Sequence, residues 1–260
     1  FVGFKNYASL LRNPNFWNSM KTTVCYSILL VTGVILTSLA LAISLNSLKR
    51  FKTFTKSIFF IPAMIGGVTI ALIWDQLYYR VVPVIGQLLG IKWMSQSLLM
   101  TGKTALPAVV FVQIWQAVAL PTVIFIAGLQ QIPEEQFESA KIDGATDLTV
   151  FFRLVLPLSK PILMTIGLFV AVNQWNSWFD AMVYITKDKS LYPMALIVRN
   201  LLTSGASDGM GGGSYDPSMQ STPTSIKMAS VVISMIPILI VYPLLQKYFV
   251  FGVFTGAVKE

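Results

Sequence analysis

Histidine is absent from all 260 residues, and cysteine occurs once. The first absence removes the commonest metal ligand and general base. The second excludes an intrachain disulfide and leaves the redox compartment unread, because Cys25 lies inside an apolar run. Charge is scarce too. Only 12% of the residues are charged, about half the share of an ordinary soluble domain. Against that, 55% are hydrophobic and the mean hydropathy is +0.68, so too little polar surface remains to cover a globule and lipid is the better solvent. The net charge of +8 is spread between apolar runs and not gathered on one face, so the footprint of nucleic-acid binding is missing. Clustered carboxylates and serine–base pairs are missing as well. No catalytic residue and no metal site is therefore assigned. Gly102-Lys103-Thr104 echoes the end of a phosphate-binding loop, but the required upstream glycine position holds Ser97, and the match is one of chance.

What is there is hydrophobic length. Five apolar runs stand out: Thr22–Leu45, Ser57–Leu77, Ala105–Leu129, Ile162–Ile185 and Met228–Leu245. About 20 apolar residues cross the hydrocarbon core as a helix, and only helices or closed barrels satisfy their backbone there. Period-two alternation is not visible, so a barrel is disfavoured. The expected fold is all-α, a polytopic membrane bundle of about five transmembrane helices, forming a single domain over 1–260. Pro62, Gly66, Gly67, Pro107, Pro121, Pro237 and Pro243 fall inside these runs and read as kinks that neighbouring helices tolerate. The short loop Asn46–Lys56 carries Lys49, Arg50, Lys52 and Lys56 with no acid, which places it in the cytoplasm. Alternation then puts the loops 78–104 and 186–227 outside, and 130–161 with the C-terminal tail inside. The opening at Phe1, without an initiator methionine or signal-peptide pattern, leads us to expect a preceding segment.

Loop 130–161 is the most informative stretch. Pro133 suits the start of a helix, and Glu134 and Glu135 suit its positive end. The helix should run to about Asp143 and stop at Gly144 in a left-handed cap. Thr146 or Asp147 can cap a second short helix ending towards Leu156 and Pro157. Phe137, Ala140 and Ile142 would be apolar contacts on this helix–glycine–helix knob, a shape suited to a partner's groove.

Glu138-Ser139-Ala140, three residues, Gly144, nine residues and Leu154-Val155-Leu156-Pro157 resemble the EAA loop of the permeases of binding-protein-dependent ABC importers, which reads E-A-A-x3-G-x9-I-x-L-P. Ser139 and Leu154 depart from it, and the spacing is kept. "FVGFKNYASLL" with "NPNFW", "WNSWFDAMVYI" and "QKYFVFGVFTGAVKE" are similar to the carbohydrate type of the same superfamily. Residues before about Pro161 resemble one of the two paired permease types, and the later part resembles the other. The resemblance implies a MetI-like fold in the plasma membrane of a prokaryote, with a further helix ahead of Phe1. It implies that Glu138, Ser139, Ala140, Gly144, Leu156 and Pro157 belong to a coupling element docking on a cytoplasmic ATPase. The implied partners are a second permease subunit, two ATPase subunits and an extracytoplasmic substrate-binding protein, besides membrane lipid and without nucleic acid. ATP and Mg would be held by the ATPase, and no cofactor by this chain.

A substrate path is expected on the fourth run, where Asn173, Asn176 and Asp180 at i, i+3 and i+7 would share one face of a helix, with Trp175 and Trp178 beside them. Gln113 and Gln116 would supply a facing wall. Amides suit sugar hydroxyls and indoles suit the apolar faces of sugar rings. The alternative is helix-to-helix bonding by the amides and interfacial placement of the tryptophans. A permease for amino acids or phosphate is the nearest competing function. A secondary transporter would need midplane carboxylates, whereas Asp75 and Asp180 fall near run ends. Loop 186–227, rich in Gly, Ser and Pro, reads as flexible, with a short helix over Leu191–Leu202. The topology has a direct check. On a Cys25-free background, cysteines at positions 138 and 56 should be protected from an impermeant thiol reagent in intact cells, and one at 214 should be labelled. Labelling of position 138 from outside would remove the coupling role with the topology.

Overall fold

The computed structural model describes residues 3–47, 52–186, 188–203 and 223–257. Every regular element among them is helical, including three 3-10 turns at Lys92–Met94, Leu98–Met100 and Lys189–Leu191 besides those that follow. In chain order these are α1 (Lys5–Arg12), α2 (Pro14–Ser47), α3 (Lys52–Met64), α4 (Gly67–Gln76), a π-helical turn (Leu77–Val81), α5 (Val82–Leu88), α6 (Gly102–Ala117) and α7 (Ala119–Leu129). There follow α8 (Glu134–Ile142), α9 (Asp147–Val150), a second π turn (Phe151–Val155), α10 (Leu156–Leu158), α11 (Lys160–Asn176), α12 (Phe179–Tyr184), α13 (Met194–Thr203) and α14 (Pro223–Ala257).

Among the described residues, three stretches are long and apolar enough to cross a membrane unbroken: Pro14–Asn46, Gly67–Leu88 and Thr224–Pro243. Two bent pairs bring the number to five, Gly102–Ala117 with Ala119–Leu129 at 53°, and Phe151–Leu158 with Lys160–Asn176 at 58°. The expected number is met, but two runs are displaced. The run Ser57–Leu77 is not one helix: α3 stops at Met64, and Gly66, at φ −58° and ψ 137°, starts α4 afresh. The run Ile162–Ile185 is cut as well, because α11 ends at Asn176 and its span begins ahead of the predicted start. Both errors have one cause, since hydropathy registers apolarity and not backbone continuity. The predicted short helix after the fourth run is α13.

Proline explains both bends. Its ring collides with the carbonyl four residues back and it offers no N–H. Pro121 therefore disturbs Ala117 and the axis turns at Val118. Pro161 disturbs Pro157, and the axis turns at Ser159. Both π turns also sit just ahead of a proline, Pro83 and Pro157. A widened turn relieves the same clash without ending the helix. Pro62 and Pro107 are carried inside α3 and α6.

The described residues form two compact units, one of Phe1–Leu30, Gly66–Gln113 and Val172–Ile240, the other of Val31–Ile65, Ile114–Ala171 and Val241–Glu260. In the second, Leu39, Ala42, Leu45, Phe125, Ile126 and Ile166 make a buried core, against which Phe59, Phe151, Leu156 and Ile162 pack. Gly128 allows the approach of Ile162, whose Cδ1 would lie 2.0 Å from a Cβ there. In the first unit, Leu10, Phe16, Met194, Ala229 and Ile233 form the core. Outward faces remain apolar, with Leu36, Leu72 and Leu239 all more than half exposed. In water these surfaces would be costly, but in lipid they are solvated.

Buried helix ends need partners, since the first N–H groups of a helix have none inside it. At α13 the first N–H, that of Met194, donates to Thr23 Oγ1 at 2.9 Å, and Thr23 Oγ1 donates to Ser19 O at 2.7 Å. Thr23 and Met194 are almost wholly buried. Thr23→Val keeps the shape and removes the acceptor, so it should destabilise by about 1–3 kcal/mol, the cost of an unsatisfied buried donor. Thr23→Ser should recover most of the loss. Denaturant titration of the purified protein in detergent measures both.

Candidate functional sites: a helix–glycine–helix knob and a polar centre

The knob has the geometry that the sequence implies. Gly144 adopts φ +77°. The Ala145 N–H bonds Ala140 O at 2.9 Å across it, the six-to-one bond of a Schellman cap, with Asp143 as the last half-helical residue. A Cβ at Gly144 would touch nothing within 4 Å, so glycine is needed there for the backbone alone. Thr146 caps α9: its Oγ1 accepts from the Thr149 N–H at 3.4 Å, and the Val150 N–H bonds Thr146 O at 2.9 Å. Beyond α9, Phe151 and Leu156 anchor this second arm in the core of their unit, and Pro157 lies exposed at its end. On the first arm Glu138 and Ser139 are exposed and Ala140 is half-buried. Ile142 is 85% exposed, an unusual state for an isoleucine held on an ordered helix and one that suits an apolar knob. Of Lys49, Arg50, Lys52 and Lys56, which set the predicted orientation, Lys49 and Arg50 lie outside the described residues.

The polar cluster of the fourth run is arranged differently from the expectation. Asn173 and Asn176 remain on one face of α11, both exposed, with Asn176 Nδ2 donating to Val172 O at 2.8 Å. Asp180 does not share that face, because the helix ends between them. Ser177 N–H turns back to Gln174 O, and α12 starts anew after Trp178. The tryptophans do not flank a common open face either. Trp175 Nε1 donates to Ser234 O of α14 at 3.0 Å, and Trp178 carries the Arg199 guanidinium 3.7 Å above its ring, a cation–π contact. Both indoles tie helices together. Gln113 and Asp180 do interact electrostatically. Gln116 is half-buried in the other unit.

Four residues escaped the sequence reading. Ser177 Oγ donates to Asp180 Oδ2 at 3.1 Å. Tyr26 and Tyr184 are 5% and 1% exposed, interact electrostatically with Asp180, and have hydroxyls without a partner among the described residues. Tyr78 donates to Ala108 O at 2.8 Å. The available signal was Asp180 and Tyr184 one turn apart on α12, with Ser177 just ahead of it; tyrosine in an apolar run otherwise reads as core.

Residues 29–255 match the family described as binding-protein-dependent transport system inner membrane component. The multiple sugar-binding transport system permease protein MsmF of Streptococcus mutans is 34% identical over 203 residues, covering 77% of this chain and 70% of that protein. The polygalacturonan/rhamnogalacturonan transport system permease protein YtcP of Bacillus subtilis is 41% identical over 152 residues, 55% of this chain and 52% of its own length. Among solved structures, a bacterial ABC transporter involved in import of the acidic polysaccharide alginate superposes with a TM-score of 0.74 at 17% identity, covering 95% of this chain and 84% of the other. At that identity the likeness shows the fold.

The cap at Gly144 generates a prediction. Val in a left-handed turn costs on the order of 1–2 kcal/mol or more, whereas Asn tolerates that conformation better. Gly144→Val should leave the amount of inserted protein unchanged and lower transport, and Gly144→Asn should lie between Val and wild type. Quantitative immunoblotting of membranes beside an uptake assay measures both. Full transport by the Val variant would show that the turn is not needed for coupling.

Proposed function

This chain belongs to the family of binding-protein-dependent transport system inner membrane components, and from that premise we propose that it is the membrane-spanning permease subunit of an ABC importer for a sugar or oligosaccharide. The observation that carries the reading is the Glu138–Ala140 and Gly144 knob: the motif spacing coincides with a helix, a left-handed glycine cap and a second helix anchored in a core. The printed names of MsmF and YtcP support a saccharide as cargo.

In this proposal the chain acts as a multi-pass subunit of a prokaryotic cytoplasmic membrane and is not itself an enzyme. Two cytoplasmic ATPase subunits bind and hydrolyse ATP with Mg. A second permease subunit completes the path, and an extracytoplasmic binding protein delivers the substrate; a relative in fold is known in complex with a pentasaccharide-bound periplasmic protein. Glu138 and the exposed Ile142 seat the knob in the ATPase, one by charge and one by apolar contact. For the path, Asn173 and Asn176, both exposed on one face of α11, are the leading candidates beside Gln113, Gln116 and Asp180, whereas Trp175 and Trp178 tie helices together.

Affinity purification of the tagged chain from its own membranes, followed by mass spectrometry, tests the assembly. The expected result is recovery of an ATPase and a second permease, with the ATPase depleted in a Glu138→Lys variant of equal abundance. Uptake of labelled oligosaccharide by Asn176→Ala should fall several-fold, as loss of a neutral hydrogen bond worth about 0.5–1.5 kcal/mol requires. Recovery of the chain without any ATPase would sink the proposal.

A further inference from the structure

We infer that the corner between α1 and α2 holds one anionic glycerophospholipid, its acyl chain along the outer face of α2 and its headgroup between Arg12 and Lys21. Three observations carry this, all within the first unit. The first is a groove of about 450 Å³, lined by residues of α2 that include Trp17, Lys21, Val24, Ile28 and Leu29. Positions 17, 21, 24 and 28 fall on one stripe of the helix, and Trp17, Val24, Ile28 and Leu29 are each more than two-fifths exposed. From Trp17 to Leu29 the helix rises roughly 18 Å, close to the roughly 15 Å of hydrocarbon that one leaflet supplies. The second is a fixed wall. Trp17 Nε1 donates to Leu11 O at 2.7 Å, and Phe16 meets the indole edge-on with ring centres 5.4 Å apart. Phe16 itself is buried in the core of the unit beside Leu10 of α1, and Asn6 Nδ2 of α1 donates to Ser225 Oγ at 2.9 Å. A wall held from two sides keeps a groove shaped before anything enters it, which lowers the cost of binding.

The third is charge. Residues 1–74 contain no Asp or Glu. Arg12 follows the carbonyl that holds the indole, Lys21 stands one turn beyond Trp17, and both are exposed. Lys5, Ser9 and Arg12, at i, i+4 and i+7, form the outward stripe of α1, opposite the buried Asn6 and Leu10. The turn that Thr22 Oγ1 touches at Ser190 O, 3.5 Å away, adds the exposed Lys189. Its acid, Asp188, is engaged by the N–H and the hydroxyl of Ser190. The polar end of the groove is therefore cationic. An amphipathic basic helix lying beside an apolar slot is the chemistry that retains anionic lipid. Trp17 N–H is already bonded, so recognition of the headgroup falls to Arg12 and Lys21. A zwitterionic lipid fits the slot and gains less from the two cations. A free phosphate meets the cations and leaves the slot empty.

Lipid binding by the purified full chain tests this independently of its cargo and of any ATPase. The probes are dioleoyl phosphatidylglycerol and dioleoyl phosphatidylcholine, added to the delipidated chain in detergent and counted by native mass spectrometry. Wild type should bind one phosphatidylglycerol about tenfold more tightly than phosphatidylcholine. Arg12→Gln and Lys21→Gln should each weaken phosphatidylglycerol about fivefold, the worth of one cation near an anionic headgroup, and leave phosphatidylcholine unchanged. Lys21→Arg should bind like wild type. Val24→Trp fills the groove with the charges intact and should weaken both lipids. Lys92→Gln, which removes an exposed cation from another segment, should change nothing. These positions are exposed, so the variants should fold. Equal affinity for the two lipids, or equal losses from Lys92→Gln and Lys21→Gln, would overturn the inference. Undiminished binding by Val24→Trp would do the same. Displacement of the lipid by inorganic phosphate at equal concentration would give the site to a free anion instead.

Discussion

A hydrocarbon solvent offers the backbone no hydrogen bonds, and the structure follows from how each interruption of a helix makes up for that loss. At Val118 and Ser159 the ladder continues through the bend: Val118 N–H still reaches Ile114 O, and Ser159 O still receives Leu163 N–H. These are bends, tolerated because proline removes one bond and not several. At Ser177–Trp178 the ladder stops. Ser177 N–H falls back to a three-residue bond with Gln174 O, and side chains take over: Asn176 on Val172 O, Ser177 on Asp180, Trp175 on Ser234 O. Polar residues accumulate in the fourth run because the helix breaks there.

That dependence explains why the same residue types mean different things in different places. Glycine at 128 is a matter of room, filled by Ile162. Glycine at 144 is a matter of dihedral angle, since nothing stands near it. The knob lies at a turn where the chain must reverse between two short helices, and there water can serve carbonyls that lipid cannot. A left-handed cap closes the helix with one bond and leaves Ile142 and Glu138 outward. A buried helix end relies on a neighbour's side chain instead, as α13 does on Thr23.

The helical class, five spans and the knob with its glycine turn were legible because they rest on periodic apolarity, motif spacing and glycine's backbone freedom, all local properties. Continuity was not. Nothing local separates the break after α3 at Ile65-Gly66 from the tolerated Pro107 inside α6, since the outcome depends on which neighbour packs alongside. The electrostatic interaction of Gln113 with Asp180 joins residues far apart in the chain and could be guessed only as two walls of a path. The tryptophans were misplaced for the same reason. An indole in an apolar run is equally suited to a sugar, an interface or a helix partner, and Ser234 O and Arg199 decided between them.

One element bears on both candidate sites. The 17 residues of α11 make a rod of roughly 25 Å. Its first turns, at Ile162, Leu163 and Ile166, are embedded in the core that also grips Phe151 and Leu156 of the knob's second arm. Its last turn carries Asn173 and Asn176 and ends at the Ser177 break. Pro161 sits at the near end, so the interior of α11 keeps its hydrogen bonds and has no soft joint. A packed core moves between discrete arrangements and does not stretch. The two interruptions of this stretch, Ser159 and Ser177, stand at the ends of the rod.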